Sequence, residues 1–145
     1  MTDIQAAVGL VQLGRLDEIV ARRRALGARY QALLSEVPGL EGAVTSADPP
    51  GGTTNFQSFW VCLPQGFPVG RDELMARLAA SGVSARRGIM ASHLEPAYAD
   101  LPRADLPVTE RLTRDSLILP LFHDLSEADQ DHVVGVIAAA ARPGT

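Results

Sequence analysis

The apolar residues between Ile4 and Leu34 constrain this chain more than any other feature. Ile4, Val8, Val11, Ile19, Leu26, Tyr30, Leu33 and Leu34 mostly recur on one 3.6-residue face. The spacing predicts a single helix from Thr2 to about Ser35. "TDIQ" at its head matches a capping box, with Thr2 as N-cap and Gln5 reaching back, and "VPGL" at 37–40 ends it. About thirty residues is long for a helix in a globular protein, and a stripe of that length needs a surface to cover it. The chain has 145 residues, enough for one domain with a core, but the portion beyond the helix is small for covering the whole stripe.

The remainder alternates strand and helix patterns. Residues 41–54, with "DPPGGTT", read as a loop. "NFQSFWVCL" at 55–63 reads as a strand, with Phe59, Val61 and Leu63 on one face and Trp60 and Cys62 on the other. "RDELMARLAASG" predicts a short helix closed by Gly82, and "VSARRG" a second strand. An irregular connection over 96–107 leads to a helix in "VTERLTRD" and a strand in "SLILPL", where Pro120 favours a sheet edge or end. Ser126 caps a last helix, and the tail "RPGT" comes after it. The expected fold is α+β: a long N-terminal helix, then a small antiparallel or mixed sheet packed with helices.

Charge and composition remove several function classes. A net charge of −4 lacks the clustered positive field that nucleic acid requires. No apolar run approaches the roughly 20 residues of a membrane helix, and "MTDIQAAVGL" does not read as a signal peptide. A single cysteine, Cys62, fits a reducing compartment, and the expected location is the cytoplasm. All 13 basic residues are arginine. A chain without lysine supplies no ε-amino group to any reaction.

The segment "GVSARRGIMASHLEPAY" at 82–98 holds the candidate site residues Arg86, Arg87 and His93. Adjacent strand residues point to opposite faces, so only one arginine enters a given pocket. Guanidinium suits bidentate binding of phosphate or carboxylate, and Gly88 would let a ligand approach the backbone. The alternative is an exposed edge-strand pair bridging to acids. His93 reads either as a base or ligand-contacting donor, or as a loop histidine satisfied by a nearby carbonyl. Arg22, Arg23 and Arg24 read as a solvated helix face paired with Asp17 and Glu18. His123–Asp124 resembles an orienting pair, although neighbours in sequence rarely face each other, and His132 reads as a surface residue. Cys62 reads as a small buried hydrophobe. Three histidines without matching cysteine or carboxylate spacing give no metal signature, and no catalytic set is complete.

"MTDIQAAVGLVQLGRLDEIVARRRALGARYQALL" resembles a segment of the DegT/StrS-type sugar aminotransferases, fold-type I enzymes that use pyridoxal 5'-phosphate. The pattern is carried by Met1, Asp3, Gln5, Ala6, Ala7, Gln12, Leu13, Arg23 and Tyr30. Two later segments, "GVSARRGIMASHLEPAY" and "LPVTERLTRDSLILPLFHDLSEADQDHVVGVI", match the same family in the same order.

The resemblance covers essentially this whole chain but only the last part of the family's. It implies that residues 1–36 form a bridging helix that would pack on a large cofactor-binding domain, and that 37–145 form the small C-terminal domain. It implies that the intact enzyme moves an amino group, usually from glutamate, onto a nucleotide-linked keto-sugar. The large domain or a homodimer mate is the implied partner, with nucleotide-sugar and amino-donor substrates, no nucleic acid and no membrane. Arg86, Arg87 and His93 match the segment approaching the substrate cleft, and no catalytic or cofactor-binding residue carries over. With no lysine for the Schiff base, this chain alone is expected to bind no cofactor and to be inactive. The alternative is a non-catalytic module that pairs with itself or with a complete aminotransferase.

Overall fold

A computed structural model describes residues 1–102 and 105–142. The expected irregular connection and tail reach beyond them: residues 103–104 of the one and 143–145 of the other lie outside the described residues.

The single helix expected at the start is two. Helix α1 spans Asp3–Leu13 and α2 spans Leu16–Ser35. Between them the Arg15 N–H donates to the Gln12 carbonyl, three residues back, at 3.0 Å. Gly14, a poor helix former, sits where the four-residue ladder tightens. The capping box forms as expected: the Gln5 N–H donates to Thr2 Oγ1 (3.3 Å) and the Thr2 N–H to Gln5 Oε1 (2.8 Å).

Four strands take the order β1-β2-β4-β3, every neighbouring pair antiparallel. They are β1 (Val44–Thr45), β2 (Phe59–Cys62), β3 (Arg86–Arg87) and β4 (Ser116–Leu119). β1 lies inside the stretch expected to be loop; two residues are too short for a strand period to show. β4 is central rather than an edge, and Pro120 falls just past its end, where its missing N–H interrupts no ladder. Helices α3 (Arg71–Ala80), α4 (Pro107–Asp115) and α5 (Glu127–Ala140) complete the α+β fold. Two short 3₁₀ turns follow β3: Ser92–Leu94, and Pro96–Tyr98 at the start of the irregular connection.

The sheet's inner face makes the core. Phe59 and Val61 of β2 and Leu117 and Leu119 of β4 are buried against α2, α3 and α5, which supply Leu26, Tyr30, Leu34, Leu74, Leu78, Val133 and Ile137. The Tyr30 and Phe59 rings lie 5.1 Å apart, and Phe56 stacks on Phe59 at 6.2 Å. α5 packs against both α2 and α3 and is capped by Ser126, whose Oγ accepts the Asp129 N–H at 3.1 Å. The second half of α2 therefore belongs to the same core as the sheet. α1 contributes no buried residue, and Ile4, Val8, Leu10, Val11 and Leu13 are all exposed.

Candidate functional site on the open sheet face

The sheet's outer face carries what chemistry the chain presents. Trp60, Ile118 and Arg86 lie directly opposite one another across β2, β4 and β3. Register alone puts them on one side, because Val61 and Leu117, the next row along, face the core. An apolar groove formed with Ile89 and with Leu112 of α4 runs beside Trp60 and Ile118. Next to it, a shallow polar hollow is walled by Gln57, Ser58, Ser84 and Arg86 and floored by Ile118 and Pro120. Ser58 borders both.

The two arginines part ways as strand neighbours must. Arg86 reaches the polar hollow and has no hydrogen bond or ion pair among the described residues. Arg87 takes the bridging alternative: its Nη2 lies 3.2 Å from Asp72 Oδ2 on α3. Asp72 is also gripped by Arg71 Nε at 2.7 Å, and that hydrogen bond, with Arg87 adding to it, holds its carboxyl below the usual range. Gly88 borders the apolar groove and also answers to packing. A Cβ there would overlap Ser116 Oγ, so the β3 edge closes on β4 only with glycine.

His93 sits elsewhere. It lies in the first 3₁₀ turn, and its Nε2 is 3.1 Å from Glu110 Oε1 on α4. Its partner is thus a carboxylate and not the expected carbonyl. It lines a separate hollow with Ser92, Tyr98 and Leu101. The structure brings together Arg86 and three uncharged donors, but not Arg86, Arg87 and His93.

The other expected residues fall out plainly. His123 faces Glu18, with Nε2 at 3.2 Å from Oε1, and not its neighbour Asp124. His132 is exposed and lies 2.9 Å from the Ser81 carbonyl. Cys62 is buried, and burial pushes its thiol pKa up, which suits an inert side chain. No cluster of metal-ligating side chains occurs among the described residues.

The arginine triplet on α2 corrects the sequence reading most. It is not a solvated face but a set of staples. Arg22 donates through Nε to the His123 carbonyl (3.2 Å) and through Nη2 to that of Leu125 (2.7 Å). Arg23 donates to the carbonyls of Phe56 (2.8 Å) and Gln57 (2.6 Å). Arg24 pairs bidentately with Asp48, at 3.0 and 2.9 Å, and donates to the Thr54 carbonyl at 2.6 Å. The planar fork of guanidinium suits two adjacent acceptors, which ammonium does not. Of these staples, that of Arg23 grips the backbone leading to Gln57 and Ser58. The sequence singles out neither residue, although the alternation in "SFWV" puts Ser58 on the side of Trp60.

The profile of the DegT/DnrJ/EryC1/StrS aminotransferase family matches residues 1–138. GDP-perosamine synthase from Caulobacter vibrioides is 36% identical over 140 residues, which are 94% of this chain and 36% of that protein. Among solved structures, the aminotransferase TlmJ from Streptoalloteichus hindustanus superposes with a TM-score of 0.82 at 34% identity, over 97% of this chain and 36% of that one. DesI, crystallised in the presence of its TDP-sugar product, superposes at 0.85 with 30% identity, again over 97% of this chain and 36% of its own. The chain spans about a third of the length of the relatives it matches. Among the described residues no helix is long and apolar enough to cross a membrane.

Proposed function

We propose, from the premise that this chain belongs to the DegT/DnrJ/EryC1/StrS aminotransferase family, that it serves as the C-terminal part of an enzyme that transfers an amino group onto a nucleotide-linked keto-sugar. The observation that carries this reading is α1. Ile4, Val8 and Val11 form one apolar ridge, Leu10 and Leu13 another, and nothing in the described chain covers either. A helix apolar on more than one side belongs in an interior or an interface. The stretch of the relatives that lies outside the match is the natural cover.

Pyridoxal phosphate, where bound, supplies the electron sink for amino transfer. The residues of this chain do not form a site for it. There is no lysine to hold the aldehyde or to carry the proton. The polar hollow offers one guanidinium, one amide and two hydroxyls. The amine therefore belongs to the larger part, and this chain alone neither holds the cofactor covalently nor transaminates. In the assembled cleft Arg86 meets an anionic group of the substrate. Arg87 and His93, held by Asp72 and Glu110, stand outside this hollow.

Mixing the purified chain with a polypeptide carrying the first two-thirds of a family enzyme tests this. The expected result is a complex that gains the cofactor's absorbance near the visible edge and converts a nucleotide-linked keto-sugar to the amine. A mixture whose two parts stay separate on a sizing column overturns it. The exposed helix also favours a second reading, a non-catalytic module that pairs through α1 with itself or with a complete aminotransferase. Sedimentation tests it: a dimer of the chain alone that dissociates on Val8→Asp supports self-pairing, a monomer removes self-pairing, and a monomer that also fails to sediment with a complete aminotransferase removes the whole reading.

A further inference from the structure

We infer that Arg23 is a positioning residue for the Arg86 hollow, acting through the main chain of Phe56 and Gln57. The inference rests on the reading of Arg86 as the anion-binding residue for its functional half and on geometry alone for the rest. Phe56 has φ of +47°, in the left-handed region that a bulky residue rarely adopts. Its ring has little freedom to leave. It is buried, stacks on Phe59, and lies so close over α2 that a Cβ at Gly27 would come within 2.8 Å of it.

Two local turns bend the chain into this conformation. Thr54 Oγ1 accepts the Phe56 N–H at 3.1 Å, and Asn55 Oδ1 accepts the Gln57 N–H at 2.9 Å. Those turns occupy N–H groups only. The carbonyls of Phe56 and Gln57 take both arms of Arg23, at 2.8 and 2.6 Å, and Gln57 itself, with Ser58 after it, forms one wall of the hollow opposite Arg86. The guanidinium fixes the peptide planes on either side of Gln57, and so fixes where the wall's amide and hydroxyl stand. Without the fork, Phe56 can relax to negative φ, which carries Gln57 out of line.

The control is adjacent. Arg24 braces the same loop, but at Asp48 and Thr54, before the left-handed residue. Amide hydrogen exchange and ¹⁵N chemical shifts are compared in the full chain for the wild type, Arg23→Ala, Arg23→Lys and Arg24→Ala. Arg23→Ala should speed exchange at Gln57 and shift Ser58, Trp60 and the Arg86 Nε signal, Arg23→Lys should restore part of this, and Arg24→Ala should leave the Arg86 signal in place. Equal shifts from Arg23→Ala and Arg24→Ala, or none from Arg23→Ala, overturn the inference, because they mark general loop bracing or no role.

A second arm titrates inorganic pyrophosphate, read by the single tryptophan, Trp60. Arg23→Ala should weaken binding about tenfold, and Arg24→Ala should not weaken it even where both variants lower the melting temperature alike. Unchanged affinity in Arg23→Ala overturns the functional half. Absence of binding by the wild type, or binding that survives Arg86→Gln, sinks the anion reading and the functional half with it, while the exchange arm still decides the clamp.

Discussion

Of the two helices that open the chain, α1 leaves Ile4 78% and Val11 64% exposed, whereas α2 holds Leu26 at 1% and Tyr30 at 0%. The apolar spacing is shared, and only two residues separate them. The difference lies in what stands opposite. α2 meets β2 and α5, and each large side chain it buries there contributes about 1.5–3 kcal/mol relative to exposure. α1 buries no residue against the described chain. Periodicity shows which side of a helix wants cover; the cover itself has to come from elsewhere in the protein or from another one.

The sharpest way to break this comparison is a pair of truncations read by urea denaturation. Leu26→Ala should cost about 2–5 kcal/mol, because it empties a core site. Val11→Ala should change stability by no more than about 0.5 kcal/mol, as an exposed substitution does. A comparable loss from Val11→Ala would mean that α1 is already covered in solution. The glycines offer a finer test. Gly27→Ala pushes a methyl group against the Phe56 ring at 2.8 Å, an overpacking that should cost about 1–3 kcal/mol by the same denaturation. Gly9→Ala meets nothing within 4 Å. It should raise helix content by circular dichroism and favour α1 by up to about 1 kcal/mol.

The smallest expected effect concerns acid and the loop that α2 braces. The Arg24 hydrogen bond, with the Thr54 N–H adding to it, lowers Asp48 to about 2 from an ordinary value of 3.8. A carboxyl depressed in the fold favours the folded state above its unfolded value. That contribution is lost as pH falls through the folded one. The Asp48–Arg24 brace should therefore be intact above pH 3.8 and release towards pH 2. Amide exchange at Thr54 should rise across that window in the wild type. In Asp48→Asn it should be fast throughout and insensitive to pH there, apart from intrinsic exchange. Both side chains are well exposed, so global stability should hardly change.

The features legible in the sequence are those that depend on near neighbours. The Thr2–Gln5 and Ser126 caps, the alternation of β2 and the closing glycine of α3 all act within a few residues. The arginine triplet shows where that ends. Arg22 and Arg23 look solvated by spacing, yet their acceptors are backbone carbonyls as far away as Leu125. A carbonyl leaves no letter in a sequence, so no pattern announces it. Gly88 carries a constraint the sequence hides for a related reason: its neighbour is Ser116, brought up by strand pairing. His93 stands out in the sequence, but its partner, Glu110, lies on a helix whose placement needs the fold.

The staples made by Arg22 and Arg23 end on main-chain oxygen, which every amino acid carries. Side chains at 57 and 123 can therefore be exchanged without disturbing what grips their backbone. Variation in the lining of the hollow is, in this architecture, uncoupled from variation in its scaffold. A library randomised at Gln57 and Ser58 should yield mostly folded members, and thereby a route to altered ligand preference that leaves the frame alone.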